Sequence, residues 1–325
     1  MKTATKVWLI LAAILVLAGC VLFAATLSSL DWGFMKLSTD KYETNTHKIS
    51  ESFENISVDT VTAQIVFAPS NDGFCTVVCH EDEKAKHTVS VKDGTLTIEI
   101  QDDRSVFDFV GHIGIHFDTP KITVYLPKTE CGSLYIREDT GDVEIPKEFT
   151  FRDVDISVTT GAVGYYASAS GAVKIRATTG SIQVESISAP SLDLTVTTGK
   201  VTLSDAQCTG DVKIFVTTGK AVLSDLACYN VISAGSTGGL TLENVIATQK
   251  LSLERSTGDI KLESCDAAEI YIKTDTGDIT GSLLSEKMFY AHTDTGHADV
   301  PKSTSGGKCE ITTDTGDIRI TVKSN

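Results

Sequence analysis

Chemistry in this chain would have to come from a few groups of residues. The first is acidic and flanks a recurring Thr-Gly step. Asp275, Asp294 and Asp314 stand two residues before its glycine, and Asp278 and Asp317 stand one after it. If successive steps stack as neighbouring strands, these carboxylates come within ~5 Å of one another. Like charges that close repel unless a cation or backbone N–H groups compensate them. Hard cations take oxygen ligands, so the five aspartates are a candidate Ca²⁺ edge. The competing reading is a solvated turn face in which Asp accepts from turn N–H groups; the calcium-binding GGxGxD nonapeptide is absent.

The second group is Cys75, Cys79, His80 and His87. Cys-x3-Cys can hold zinc when it lies in a loop. In a strand, residues four apart are separated by ~13 Å and cannot share an ion. The same spacing counts against His112 and His116. Cys208, Cys228 and Cys265 fall at apolar slots and read as small buried hydrophobes. Hydrolytic signatures are missing: there is no Gly-x-Ser-x-Gly elbow and no phosphate-binding glycine loop. The motifs therefore predict no catalytic residue, no cofactor and no metal beyond the calcium candidate.

The elements that must position these groups follow from one repeat. Thr-Gly recurs with glycine at 141, 161, 180, 199, 219, 238, 258, 277, 296 and 316, always 19 or 20 residues apart. Gly141, Gly161, Gly180, Gly199, Gly219, Gly238, Gly258, Gly277, Gly296 and Gly316 are read as structural turn residues, because glycine admits positive φ without steric cost. Seven, five and three residues before a glycine come Val173, Ile175 and Ala177, then Leu192, Leu194 and Val196. Two and four residues after it come Ile182 and Val184, then Val201 and Leu203. This alternation has the period of a β-strand. Each repeat is thus a strand, a Thr-Gly turn, a second strand and a looser return. Identical asymmetric repeats argue for a wound coil rather than alternating hairpins. The predicted fold is all-β, a single-stranded parallel β-solenoid of about ten coils. Cys208 and Cys228 then sit one coil apart, with parallel Cβ vectors that suit a disulfide poorly.

Residues 45–133 are less regular. Alternation persists in Ile56-Ser57-Val58, Leu96-Thr97-Ile98, Ile113-Gly114-Ile115 and Ile122-Thr123-Val124, and Lys92-Asp93-Gly94 reads as a hairpin turn. This stretch is read as irregular coils or a β cap, since an open strand edge invites aggregation. Residues 134–325 are the regular array. The tail carries Ile318, Ile320 and Val322 and is expected at the far end, bare or paired with a partner.

Before the β region, residues 7–27 carry no charge. At ~1.5 Å per residue they span a hydrocarbon core, and Lys2 and Lys6 favour a cytoplasmic N-terminus at 1–6. A linker of 28–44 follows. Leu17-Ala18-Gly19-Cys20 resembles a lipobox, which makes Cys20 a lipidation candidate; the apolar run continues to Leu27, which favours an uncleaved transmembrane helix. Either anchor places the rest outside the cytoplasmic membrane. The formal net charge of −15 excludes a basic nucleic-acid footprint.

Asp139-Thr140-Gly141-Asp142-Val143, Ser256-Thr257-Gly258-Asp259-Ile260, Asp275-Thr276-Gly277-Asp278-Ile279 and Asp314-Thr315-Gly316-Asp317-Ile318 resemble the reiterated Thr-Thr-Gly-Asp-Ile/Val of a bacterial putative-adhesin family. That family is a β-repeat domain of unknown function behind a membrane helix. The resemblance covers residues 45–325, and some members look linked to cell-envelope stress responses. No catalytic residues are established for the family, so it implies none here. Ala162, Lys200, Lys220, Gly239 and His297 depart from its aspartate. The expected role is a membrane-anchored, extracytoplasmic, non-catalytic surface-binding or envelope-sensing module. The expected partner is a protein or wall polymer. A self-assembling scaffold joined through the solenoid end is the alternative, and a carbohydrate-active β-helix enzyme is a weaker one.

Overall fold

The computed structural model describes residues 3–29, 41–102, 119–127 and 130–323. His112, His116 and the expected strand at Ile113–Ile115 lie outside the described residues. The chain divides into two units: residues 1–43, 81–86 and 102–119, and residues 44–80, 87–101 and 120–325.

The first unit contains one helix, Thr3–Ser29. Its Val7–Thr26 stretch is long and apolar enough to cross a membrane, and none of it is buried by protein. A helix apolar on every side has no polar face to give to water, a character shared by membrane spans and signal sequences. In the same unit Lys86 Nζ meets Glu43 Oε1 at 2.5 Å, and Glu83 N donates to Lys41 O at 2.9 Å.

The second unit is a parallel β-solenoid, as the repeat predicts. Val154 pairs with Val173, Val173 with Leu192, and Leu192 with Val212. Gly161, Gly180, Gly199 and Gly219 fall in one column. One coil shows the plan. Within Ala172–Ala189, Val173, Ile175 and Ala177 turn inward on the first side, Ile182 and Val184 on the second, and Ile187 and Ala189 on the third. All are at most 3% exposed. Small and β-branched side chains fill this narrow interior in layers.

Two corners repeat. At the Thr-Gly corner, φ runs from +124° to +154° from Gly161 onward, and a Cβ would lie 1.7–2.3 Å from the carbonyl oxygen of the neighbouring glycine. Only glycine fits there. Six residues later a second corner holds Ser186, Asp205, Asp225, Asn244 and Ser264, each with φ between 49° and 56°. Asn and Asp tolerate this left-handed region best among side-chain-bearing residues. The return that looked loose in the sequence is therefore a defined corner. Ser186 Oγ donates to Asp205 Oδ2 (2.9 Å) and Asn244 Nδ2 to Asp225 Oδ1 (3.0 Å), from coil to coil.

Coil order follows the chain through the middle but not at either end. The strand Asn55–Thr62 lies between Thr95–Asp102 and Leu134–Thr140, so the second coil in sequence is outermost. In the first coil Thr62-Ala63 stands where later coils carry Thr-Gly, since Thr62 pairs with Thr140. At the far end Gly307–Thr315 pairs with Ile260–Thr276 on one side and Lys287–Thr295 on the other. The tail after Gly316 is therefore internal, and the coil of residues 287–299 is outermost. Both the first and the last coil in sequence are sandwiched one layer in.

At the first end one strand of the outermost coil is covered. Lys121–Leu126 pairs in parallel with Gln64–Pro69 and antiparallel with residues 76–80. Asp93 and Gly94 have φ of 50° and 71°, the two-residue turn expected at Lys92-Asp93-Gly94.

Candidate functional sites along the solenoid

The acidic corner is an inter-coil hydrogen-bond ladder. Asp142 Oδ1 accepts from Ala162 N (2.7 Å), Asp259 Oδ1 from Asp278 N (2.9 Å), Asp278 Oδ1 from Asp317 N (2.8 Å), and Asp317 Oδ1 from His297 N (2.9 Å). Each carboxylate thus answers one backbone N–H of the coil ahead. The aspartates two before the glycine follow the spatial order Asp275, Asp314, Asp294, because the last coil is inserted. Lys273 lies 3.9 Å from Asp275, and His292 Nε2 lies 2.9 Å from Asp294.

The inward slot three residues before each glycine is apolar in the middle of the array and polar towards both ends. Thr60 aligns with Glu138, and Glu138 with Val158. Glu138 is 1% exposed; its Oε1 accepts from Ala63 N and Thr140 N, both at 3.1 Å, and its Oε2 has no partner. Burial pushes this carboxyl up to about 8, against the two N–H bonds that favour its charge. It is a neutral acid at pH 7 and holds two coils together where Ala63 replaces the glycine. Nearby, Thr60 Oγ1 meets His87 Nε2 at 2.7 Å.

Further along the slot, Arg255 is buried, donating to Glu254 O (2.7 Å) and Ser233 Oγ (3.0 Å). Burial lowers its pKa to about 10. Gly235 stands beside it in the adjacent coil, where a Cβ would lie 2.2 Å from Val216 O and 3.2 Å from the guanidinium. In the last coils the slot holds threonine. Thr274 donates to Gly258 O, Thr313 to Gly277 O and Thr293 to Gly316 O, at 2.9–3.2 Å. Sequence reading missed Glu138 and Arg255 as buried charges. The signal was present: the register that makes Ala177 and Val196 inward also turns 138 and 255 inward.

The cysteines are mostly packing elements. Cys208 and Cys228 are buried thiols in the small-residue corner, aligned with Ala189 and Ala247 respectively. Burial raises them to about 11 and about 12, so neither is a thiolate at neutral pH. Cys75 and Cys79 lie on one strand and face inward, while His80 is on the opposite face with Nδ1 3.1 Å from Thr44 Oγ1. Four residues of strand keep the two sulfurs apart. Cys20 lies on the exposed helix. A shallow groove of about 300 Å³ lies between Phe53, Phe74, Leu126 and Cys131.

The solvent-facing columns carry a ladder of opposite charges. Asp155, Lys174, Asp193 and Lys213 stack in successive coils. Alternating signs favour this register over a slip of one coil.

The Toastrack DUF4097 family profile matches residues 53–219 and 210–325. Among solved structures, a putative adhesin from Parabacteroides merdae aligns over 76% of this chain and 98% of its own, with a TM-score of 0.51 and 13% identity. Putative adhesins from Parabacteroides distasonis and Bacteroides fragilis cover 85% and 87% of this chain and 98% and 97% of theirs, with TM-scores of 0.48 and 0.41 and identities of 13% and 16%. No curated protein matches the chain. The matched profile spans the entire solenoid, and the chain belongs to the Toastrack DUF4097 family.

Proposed function

We propose that this chain is a membrane-tethered, extracytoplasmic binding module without catalysis. The observation that supports it most is how the polar chemistry is used. The corner carboxylates accept backbone N–H groups and the inner threonines donate to backbone carbonyls, both between coils. What faces solvent is a set of flat, regular columns with no deep cleft among the described residues. Such a surface suits recognition of a protein or wall polymer better than turnover of a small substrate. The apolar helix ahead of the solenoid supplies the tether, through Val7–Thr26 or through a lipid on Cys20.

Surface labelling tests this directly. In intact bacteria making the full chain, a membrane-impermeant amine reagent should modify exposed solenoid lysines such as Lys200, Lys220 and Lys261. Labelling that requires cell lysis would overturn the reading. Proximity labelling from the same cells would then identify the neighbours.

A further inference from the structure

We propose that the trough over Ala162 and Gly164 receives a cationic side chain, lysine or arginine, of a protein partner. This rests on the surface-binding reading above and names the chemistry of one anchor point.

The trough is a local break in the repeat. On the side of the solenoid that follows the Thr-Gly corner, the outward positions stand one and three residues after each glycine. Val66, Glu144, Gly164 and Gln183 align from coil to coil in one such column. In the other, Ala162 aligns with Ser181 and its N–H bonds Asp142. Every other coil of the regular array sets at least one polar side chain at these two positions; only this one has Ala and Gly together. The missing side chains leave a trough of about 290 Å³, walled by Asp142 and Glu144 on one flank and by Ser181 and Gln183 on the other.

The phenol ring of Tyr166 folds back over the floor. A Cβ on Gly164 would lie 3.1 Å from its Cε2 and 3.2 Å from its hydroxyl oxygen. Gly164 does not have a positive φ, so close approach of the ring, not backbone conformation, is what asks for glycine here. The ring is half-buried and its tip stays within the trough.

Both charged residues of the walls are acidic. Glu144 is exposed and has no hydrogen bond or ion pair among the described residues. Asp142 uses Oδ1 on Ala162 N at 2.7 Å. Glu185 stands close by and accepts from Gln183 Nε2 at 3.3 Å. Burial, and then the charges of Glu144 and Glu185, push the Tyr166 phenol above its ordinary value, as expected for a ring set among carboxylates. The aligned lysines, Lys121 and Lys200, stand one coil beyond Gln64 and Ser181 and line neither wall.

An aromatic face beside unneutralised carboxylates attracts an organic cation, because the ring quadrupole and the negative charges act together. Lysine and arginine also bring an apolar stem that can lie along the ring and over Ala162. A neutral sugar gains nothing from the carboxylates, and an anion is repelled by them. One cation in a shallow trough binds weakly, so it serves as an anchor within a larger contact. The flat columns on either side offer the area that a folded partner covers.

The test uses the full chain in detergent, isotope-labelled at glycine, and reads the amide signals of Gly161 and Gly164 by NMR. The probes are the Nα-acetyl methylamides of arginine and lysine. Those of citrulline and norleucine are the neutral counterparts, and glucosamine and N-acetylglucosamine are the sugars. Both cations should shift the two signals and saturate in the millimolar range, and the neutral counterparts should not. Tyr166→Leu should weaken binding about five-fold and Glu144→Gln about three-fold, whereas Tyr166→Phe keeps the ring and the affinity. Gly164→Gln gives this coil the side chain that Gln183 carries in the same column, and the only close neighbour of its Cβ is the movable tip of Tyr166. It should abolish the shift at Gly161 with an unchanged circular dichroism spectrum. Three results would overturn the proposal: no saturable shift with either cation, an equal response to the neutral counterparts, or binding indifferent to both Tyr166→Leu and Gly164→Gln. Tighter binding of either sugar than of the amino-acid probes would also overturn it. None of these outcomes touches surface exposure, which the lysine labelling reads separately.

Discussion

The middle of the solenoid and its last three coils are built from the same repeat, yet they are ordered by different forces. Between Gly161 and Gly258, each coil follows its predecessor in sequence and in space. Short connections suffice there, and the identical neighbours offer no reason to depart from chain order. Beyond Gly277 the order becomes 277, 316, 296. A long-range clamp accompanies the change. Lys287 of the outermost coil aligns with Gly307 of the inserted one, and its ammonium reaches Asp266 at 2.6 Å. Ser285 Oγ donates to the same carboxylate at 3.0 Å. Near-identical repeats leave coil order nearly degenerate, and a few buried polar contacts then decide it.

Breaking the insertion should have the largest effect. A Cβ on Gly307 would lie 1.8 Å from Ala268 O, a backbone atom that cannot step aside. Gly307→Val should therefore cost more than about 4 kcal/mol, or leave the last coils unfolded. Hydrogen exchange should show protection lost over residues 287–322 and kept in the middle. Gly239→Ala is the control, because its added Cβ meets only Asp259 O at 3.6 Å; thermal melting should hardly move.

Next comes the clamp. Lys287→Met leaves Asp266 without its cation and should destabilise by roughly 3 kcal/mol. Lys287→Met with Asp266→Leu should recover much of that loss, since replacing both partners removes the stranded charge. Chemical denaturation of the two variants measures the difference.

The first end offers a pH test. Glu138 titrates at about 8 in the folded chain against an ordinary 4.5. Between those values the folded state holds a proton that the unfolded state has lost. The stability tied to this carboxyl is thus complete below pH 4.5 and is lost as pH rises through about 8, by on the order of a few kcal/mol. Glu138→Gln keeps the neutral amide in place and should flatten this window. A melting profile unchanged by the substitution would remove Glu138 as the cause.

The smallest effect is expected at the corner carboxylates. Asp278→Asn keeps an oxygen acceptor for Asp317 N and should cost no more than about 1 kcal/mol. Calorimetry with millimolar Ca²⁺ separates the two readings of these aspartates. Heat that disappears in Asp278→Asn supports a cation edge, and no heat in the parent supports a purely hydrogen-bonded corner.

Much of this molecule was legible in its residues. Alternation around a 19–20-residue glycine period dictates strands, corners and a parallel coil, because only stacking brings identical side chains over one another. It also carries the inward positions of 138 and 255, which become visible once the register is applied to every repeat. The second corner went unread as a looser return, although Ser, Asp and Asn recur six residues after the glycine. Coil order was not legible. The repeat specifies which residues align in a column but not which coil is the neighbour, since any two coils satisfy the same backbone bonds. That choice belongs to contacts such as Lys287 with Asp266, which reaches past the inserted coil, and Glu138 with Ala63, which are far apart in the chain; both exist only after the coils have closed. The same physics decides which coil lies outermost: a strand pairs wherever a partner is offered, and only the assembled stack shows that, among the described residues, Lys287–Thr295 is paired on one side.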